Sequence, residues 1–174
     1  PESMSEKDKM NDTLDILNKK YGHLCNPQNF LSRASELFHK LEFEDGIALM
    51  PYAKECLEYL QPKYRIALAS STRNELVIRQ LKNANVLEFF EVIVTGDMVL
   101  HSKPDPEIYL KACEELNIPP ENCIAIEDSP NGLKSAFFAG LNTIMVPDKI
   151  QPNEELNQFI WKKCDSLKNV MDML

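Results

Sequence analysis

Short apolar runs alternate with helix-like segments over most of the chain, beginning near Pro51. The runs read RIALAS, EVIVTG, CIAI and NTIMVP, and apolar residues between them recur at helical spacing. Strands that are apolar on both faces and are joined by helices are typical of a mainly parallel sheet with helices on each side. The alternation therefore predicts an α/β fold with a three-layer, Rossmann-like core.

The chain before this region shows helical spacing only. A first helix is expected to end at Gly22, and Asn26-Pro27 to begin a second, because proline suits the first helical position. The two helices predict a helical hairpin, and we expect it to form a helical domain over residues 1–48, followed by an α/β domain over residues 49–174. Its apolar seam would consist of Met10, Leu14, Leu17 and Tyr21 on the first helix and Phe30, Leu31, Ala34, Leu37, Phe38 and Leu41 on the second.

The charge balance excludes several classes of partner. The formal net charge is −8 over 174 residues, and no run of lysine and arginine could form a basic face, so we expect no nucleic-acid partner. No apolar run approaches the roughly 18 residues that span a bilayer, so we expect no membrane contact. The same negative charge would repel anionic substrates, so phosphate chemistry would require a local cation or a bound metal.

The cysteines are odd in number and scattered, with no CxxC pair. This pattern disfavours both a disulfide framework and a structural zinc site, and it favours a reducing, cytoplasmic location. We expect the cysteines to behave as small core residues, and they are Cys25, Cys56, Cys113, Cys123 and Cys164.

Polar side chains follow three of the predicted strands. Ligands of open parallel sheets bind at the carboxyl ends of the strands, so these side chains are expected at one edge. They are Ser70, Ser71 and Thr72 after the first run, Lys103 after the second, and Glu127 and Asp128 after the third. Hydroxyls beside a helix N-terminus can cradle a phosphate, a positioned lysine can neutralise it, and paired carboxylates can hold Mg²⁺.

Each of these groups also has a purely structural interpretation. One hydroxyl among residues 70–72 could cap the next helix, and Asp128 could cap the helix that begins at Ser129-Pro130. Lys103 could be a solvated loop residue, and Asp105 is better explained as a helix cap than as a catalyst. The residues alone leave both interpretations open.

Three stretches together resemble the motifs of a known family. IALASST, SKPDPEIY and IEDSPNGLKSAFFAG, in this order and spacing, resemble the haloacid dehalogenase superfamily, most closely its β-phosphoglucomutase-like phosphatases and mutases. The resemblance implies that Ser70 binds the phosphoryl group near the Ser71 amide, that Lys103 balances the charge of nucleophile and phosphate, and that Glu127 and Asp128 hold Mg²⁺. It also implies that the helical hairpin is the back half of a cap domain.

The family's first motif, DxDx(T/V) after an N-terminal strand, is absent from the sequence. In the family this motif supplies the aspartate that becomes an aspartyl-phosphate, which water or a second hydroxyl then attacks. Its strand would lie between IALAS and CIAI, and without it backbone groups there would lack partners. We therefore expect the C-terminal portion of a longer Mg²⁺-dependent phosphatase that acts on a small phosphorylated metabolite, with the portion inactive alone.

Other functions are considered beside this one. A sugar phosphomutase of the group would need a cap arginine near residues 5–8, which read Ser-Glu-Lys-Asp, and this favours hydrolysis. A second alternative is an inactive member that binds a phosphate or a partner protein. A flavodoxin- or receiver-like module places its acids after the first strand, unlike the pair here. We expect a monomer, or a chain paired with the missing N-terminal segment.

Overall fold

The computed structural model describes residues 6–174, except for the side chains of residues 6–13, 38, 39 and 41–45. The chain divides into two compact units, Pro1–Ile47 and Ala48–Leu174. Among the described residues, no helix is both long enough and apolar enough to cross a membrane.

The first unit contains two helices, α1 (Glu6–Tyr21) and α2 (Pro27–Asp45), which contact each other. Asn26 begins α2 because its Oδ1 accepts hydrogen bonds from the amides of the next turn, at 3.0 and 3.1 Å. The predicted hairpin is therefore present, but its seam is only partly buried. Leu14, Leu17 and Leu31 are half-buried, whereas Tyr21, Phe30, Ala34 and Leu37 are exposed. The predicted seam side chains of Met10, Phe38 and Leu41 lie outside the described residues.

The second unit alternates helices and strands, as the sequence predicts. The elements are α3 (Ala53–Leu60), β1 (Ala67–Ser70), α4 (Asn74–Asn83), β2 (Val92–Thr95), α5 (Glu107–Leu116), β3 (Ile124–Glu127), α6 (Pro130–Phe138), β4 (Asn142–Met145), α7 (Glu154–Asn157), β5 (Lys162–Lys163) and α8 (Leu167–Met173). The class of fold is therefore α/β, as expected.

The strands form two parallel sheets rather than one. β1 pairs with β2, with Ala67 opposite Val92, and β3 pairs with β4, with Ile124 opposite Asn142. β5 adds to β4 and completes the order β3-β4-β5. Within residues 6–174, no strand lies between β1 and β3, which agrees with the slot that the sequence predicts there.

The open edge of β1 carries carbonyl groups without a strand partner. Successive carbonyls of a strand point to opposite sides. Ile66 O accepts a hydrogen bond from the Glu91 amide, on the β2 side, at 2.9 Å. The carbonyls of Ala67 and Ala69, which are odd-numbered, therefore point away from β2.

The open edge of β3 has the complementary arrangement. The carbonyls of Cys123 and Glu127 accept hydrogen bonds from amides on the β4 side, at 3.1 and 2.9 Å. The carbonyls of Ile124 and Ile126 therefore point away from β4. Both side chains are exposed, at 38% and 37%, which is unusual for a parallel strand because such strands are normally covered on both faces.

A groove of about 550 Å³ lies between these two open edges. Its walls come from β1 and β3, and from α3, α5 and α8, and are mainly apolar; they include Leu57, Leu60, Leu68, Ile124, Ile126 and Leu141. Both open edges thus border the same mainly apolar groove.

The core of the second unit is built around α5. One face of this helix buries Ile108, Ala112 and Cys113 against Val94 of β2 and Ala136 of α6. A second cluster joins β4 to α3 and α8 and includes Cys56 and Cys164. Three of the five cysteines are thus buried core residues, as predicted, Cys123 is half-buried, and Cys25 is exposed; all five are free thiols.

Candidate phosphate and metal site

Lys103 links the two sheets at their carboxyl edge. Its Nζ donates to Ala69 O at the end of β1 (3.1 Å) and to Glu127 Oε1 at the end of β3 (2.5 Å). The two charged side chains are only 11% and 9% exposed. The interpretation of Lys103 as a solvated loop residue is therefore wrong, since the ammonium is buried and lies where the sequence places the site.

The loop before α5 aims Lys103. Asp105 Oδ1 accepts from the Glu107 amide at 3.0 Å and so holds the start of α5, although the N-cap position itself is Pro106, which has no side-chain cap. Its carbonyl accepts from Ser135 Oγ of α6 at 2.6 Å, which ties the loop to a helix from the other side of the site. These two hydrogen bonds of Asp105 therefore fix the loop backbone two residues after Lys103.

Glu127 is held on both carboxylate oxygens. Oε1 accepts from Lys103 Nζ and from the Tyr109 hydroxyl, and Oε2 accepts from Ser129 Oγ at 3.2 Å. The carboxylate also lies against Gly132 in the first turn of α6, where any Cβ would overlap it. The glycine in SPNG thus leaves room for the close approach of the carboxylate to the helix.

Asp128 is exposed, and among the described residues its carboxylate has no hydrogen-bond partner. The N-cap of α6 is Ser129, whose Oγ accepts from the Gly132 amide at 3.1 Å. The interpretation of Asp128 as the helix cap is therefore wrong. An unengaged carboxylate next to a second carboxylate is a donor set of hard oxygens, which suits Mg²⁺.

The hydroxyls of residues 70–72 lie at the end of β1. Ser70 Oγ accepts from the Thr72 amide at 3.2 Å, and Ser71 is exposed. The N-cap position of α4 is Arg73, which has no side-chain cap, so the interpretation of one of these hydroxyls as the N-cap is wrong. Gly96, which directly follows β2, lies against this turn, and any Cβ at this glycine would overlap Ser71 O.

Two residues with contacts at the carboxyl edge of the strands, Asp97 and Tyr109, were not predicted. Asp97 Oδ1 accepts from the Thr95 hydroxyl at 2.6 Å and from the Asn74 amide at 3.0 Å, and so joins the end of β2 to the start of α4. The Thr95 bond is the main reason why the pKa of Asp97 is lowered. The only sequence signal for this role is the position of Asp97 directly after a strand.

Tyr109 is the second residue that the sequence did not identify. It lies in the first turn of α5, is 7% exposed, and contacts both Lys103 and Glu127. Burial, followed by the charge of Glu127, raises the pKa of Tyr109 far above its ordinary value of 10.0, so the hydroxyl keeps its proton.

A group of His101, Asp105 and Glu107 also brings ligand-type atoms within 4.8 Å of one another. Both Glu107 oxygens are already engaged, by the amides of Leu100 and His101 at 2.8 and 2.7 Å and by His101 Nδ1 at 3.0 Å. The backbone bond from Leu100 is the main reason why the pKa of Glu107 is lowered. The cluster is thus explained by the hydrogen bonds with which Glu107 holds Leu100 and His101 of the preceding loop.

The sequence profile of one protein family, described as Haloacid dehalogenase-like hydrolase, matches residues 3–146. The chain belongs to this family. The resemblance identified from the three motifs is thereby confirmed, and the matched span contains every candidate site residue.

Relatives of this haloacid dehalogenase-like chain include named phosphatases. It is 37% identical over 118 residues to the Phosphorylated carbohydrates phosphatase of Thermotoga maritima, covering 67% of this chain and 54% of that protein. It is 39% identical over 125 residues to Protein CbbY of Cereibacter sphaeroides, covering 70% of this chain and 54% of that one. The chain thus spans about half the length of these curated relatives.

The solved structures agree with this assignment. CbbY from Rhodobacter sphaeroides, in complex with phosphate, superposes with a TM-score of 0.74 at 29% identity, over 97% of this chain and 76% of that one. A mutant of the same protein in complex with xylulose-(1,5)-bisphosphate gives a TM-score of 0.70 at 30% identity, covering 95% and 74%. The α/β architecture is therefore that of the haloacid dehalogenase-like hydrolases and of their phosphatase group.

Proposed function

We propose that the protein is a Mg²⁺-dependent phosphatase that hydrolyses a small phosphorylated sugar. The observation that carries the proposal is the Lys103 ammonium, buried between the last residues of β1 and the Glu127 carboxylate of β3. A cation at the carboxyl edge of parallel strands is suited to a phosphoryl group, in a protein whose net charge of −8 would otherwise repel one.

The phosphoryl group is proposed to bind at the turn after β1. Ser70, Ser71 and Thr72 offer hydroxyls and amides there, and Lys103 offers its charge. All three ammonium protons of Lys103 have acceptors in the structure, so contact with a phosphoryl oxygen requires one to be exchanged. The bond to Ala69 O, at 3.1 Å, is the candidate for exchange, because the other two acceptors, Glu127 and Tyr109, are also hydrogen-bonded to each other.

Asp128 and Glu127 are proposed to hold the Mg²⁺ ion. Asp128 is the more direct ligand, since its carboxylate has no other partner in the described part of the chain, whereas Glu127 Oε1 already accepts two hydrogen bonds. When bound, Mg²⁺ would neutralise charge on the phosphoryl oxygens. The first unit is proposed to be part of a cap, and the second to be the catalytic core.

The nucleophilic aspartate is proposed to lie outside these 174 residues, on a strand that fills the groove between β1 and β3. A carboxylate at the carboxyl end of that strand would lie near Lys103, which would balance its charge. In the proposed reaction, this carboxylate attacks phosphorus as the bond between phosphorus and the sugar oxygen breaks. Water then attacks the aspartyl-phosphate and releases phosphate. The open edges of both strands support this proposal.

The substrate class rests on the relatives. One is named for phosphorylated carbohydrates, and a second is seen with xylulose-(1,5)-bisphosphate. A third, 38% identical over 109 residues, is named Probable pseudouridine-5'-phosphatase, from Drosophila melanogaster. All three names describe a phosphate on a sugar, and we propose the same class here.

The test is a screen of the intact protein against phosphorylated sugars with Mg²⁺, with free phosphate as the readout. Lys103→Ala and Asp128→Ala are expected to abolish release, whereas Lys134→Ala and Asp148→Ala, at surface ion pairs, retain it. Isomerisation of a sugar phosphate without phosphate release would indicate the mutase alternative. Phosphate binding without turnover would indicate the inactive alternative. Turnover by residues 1–174 alone would overturn the proposal that the nucleophilic aspartate lies outside these residues.

A further inference from the structure

Tyr109 contacts both charged groups of the site from one side. Its hydroxyl donates to Glu127 Oε1, and its Oη accepts from Lys103 Nζ at 3.3 Å. The ammonium also lies 4.8 Å from the centroid of the Tyr109 ring, within the range of a cation–π contact. We infer that Tyr109 is a positioning residue for the proposed reaction: its hydroxyl fixes the Lys103 ammonium relative to the Glu127 carboxylate. The inference rests on the proposed function.

The three groups form a closed triangle of hydrogen bonds. Lys103 has three N–H donors, and their acceptors are Ala69 O, Glu127 Oε1 and Tyr109 Oη. The Tyr109 oxygen accepts from the ammonium while its proton goes to the carboxylate. Because the hydroxyl is both donor and acceptor, only a side chain with an O–H at this position closes the triangle.

The three residues differ in how firmly the backbone holds them. Lys103 lies in a loop and carries a long side chain with several rotatable bonds, which is costly to order. Tyr109 lies in α5, and this helix contacts β1, β2 and α6. Tyr109 therefore supplies, from a rigid element, the constraint that the loop lysine lacks.

Removal of the Tyr109 hydroxyl would leave the packing of the ring in place, but Lys103 and Glu127 would each lose a hydrogen bond. Phenylalanine keeps the ring, and with it the burial and the cation–π contact. Glu127 Oε1 would lose one of its two donors, and Lys103 one of its three acceptors. The ammonium could then move relative to the carboxylate, although both would remain in the site.

The first test compares Tyr109→Phe with Tyr64→Phe in the intact protein. Tyr64 is the control, because its hydroxyl is also hydrogen-bonded, to Leu174 O at 3.2 Å, but does not contact Lys103 or Glu127. We expect Tyr109→Phe to lower kcat by about 10- to 100-fold, as loss of an outer partner of a charged site does, with KM changed much less. Tyr64→Phe should leave both unchanged. Equal kinetics for the two variants would overturn the inference.

The second test does not depend on activity. The ¹⁵N–¹H signal of the Lys103 ammonium, assigned by its loss in Lys103→Ala, is recorded by NMR in each variant. Tyr109→Phe is expected to shift or broaden it, and Tyr64→Phe to leave it unchanged. Glu127→Gln should also shift it, and it provides a second route if Tyr109→Phe fails to fold. An unmoved signal in Tyr109→Phe would overturn the inference, even if the protein proves to be a phosphatase and Glu127→Gln shifts the signal. Conversely, a shifted signal in a protein without turnover would support the positioning role while the proposed function fails.

Discussion

Lys103 and Glu127 form an ion pair of 2.5 Å that joins the loop before α5 to the end of β3, with both side chains nearly buried. The lysine also binds the last part of β1, so one ammonium bridges two sheets that, within residues 6–174, have no strand pairing with each other. Because both groups are desolvated, removal of either one would leave the other as an uncompensated buried charge.

Lys103→Ala is expected to destabilise the protein by about 3 kcal/mol, because it leaves the Glu127 carboxylate buried without its cation. The measurement is the free energy of unfolding by urea. Lys134→Ala removes an ion pair to Glu155 on the surface, where Glu155 is 67% exposed, and should cost less than about 1 kcal/mol. Similar losses for the two variants would contradict the buried character of the Lys103 pair.

Asp128→Asn is expected to weaken Mg²⁺ binding at least about tenfold. The reason is that this carboxylate is exposed and unengaged within the described residues, so it is the group best able to contact a cation. The measurement is the rise in Tm with added Mg²⁺, which reports binding to the folded state. Asp148→Asn, at an exposed acid elsewhere, is the control. An unchanged response in Asp128→Asn would remove this residue from the metal site.

Gly132→Ala is expected to destabilise the protein by about 1–3 kcal/mol, although alanine is the better helix former. The added Cβ would overlap the Glu127 carboxylate, so that either the side chain or α6 must move. Urea unfolding gives the free energy, and the NMR signal of the Lys103 ammonium reports whether the carboxylate has moved. A stabilised variant would show that Glu127 does not lie against this helix turn.

Stability is expected to fall as the pH drops below about 4.5, the ordinary pKa of Glu107, because the folded protein holds that pKa lower. A carboxyl group with a lowered pKa stabilises the fold above its unfolded pKa and loses that effect as the pH falls through its folded value. Glu107→Gln should therefore flatten the profile of Tm against pH in this range. Glu75→Gln, at an exposed acid in the first turn of α4, is the control and should keep the wild-type slope.

The sequence predicted the alternation of elements because apolar period and turn residues are local signals. It also predicted the meeting of Lys103 and Glu127, since parallel strands end at one edge. It did not predict β5, whose two residues are lysines and pair through backbone groups alone. Nor did it identify Tyr109, because helical spacing marks a buried face but does not say which neighbours that face meets. Asp97 was missed for a similar reason, since its partners come from two elements.

The alternating carbonyls on the open edges of β1 and β3 would set the register of any strand that enters the groove. Ala67 and Ala69 on one side, and Ile124 and Ile126 on the other, offer acceptors only at every second residue. An entering parallel strand can hydrogen-bond to both edges only if its amides are in register with these carbonyls. A shift of one residue would turn each of its side chains to the opposite face. The spacing of backbone oxygens, rather than any side chain, would thus determine which residue of that strand arrives beside Lys103.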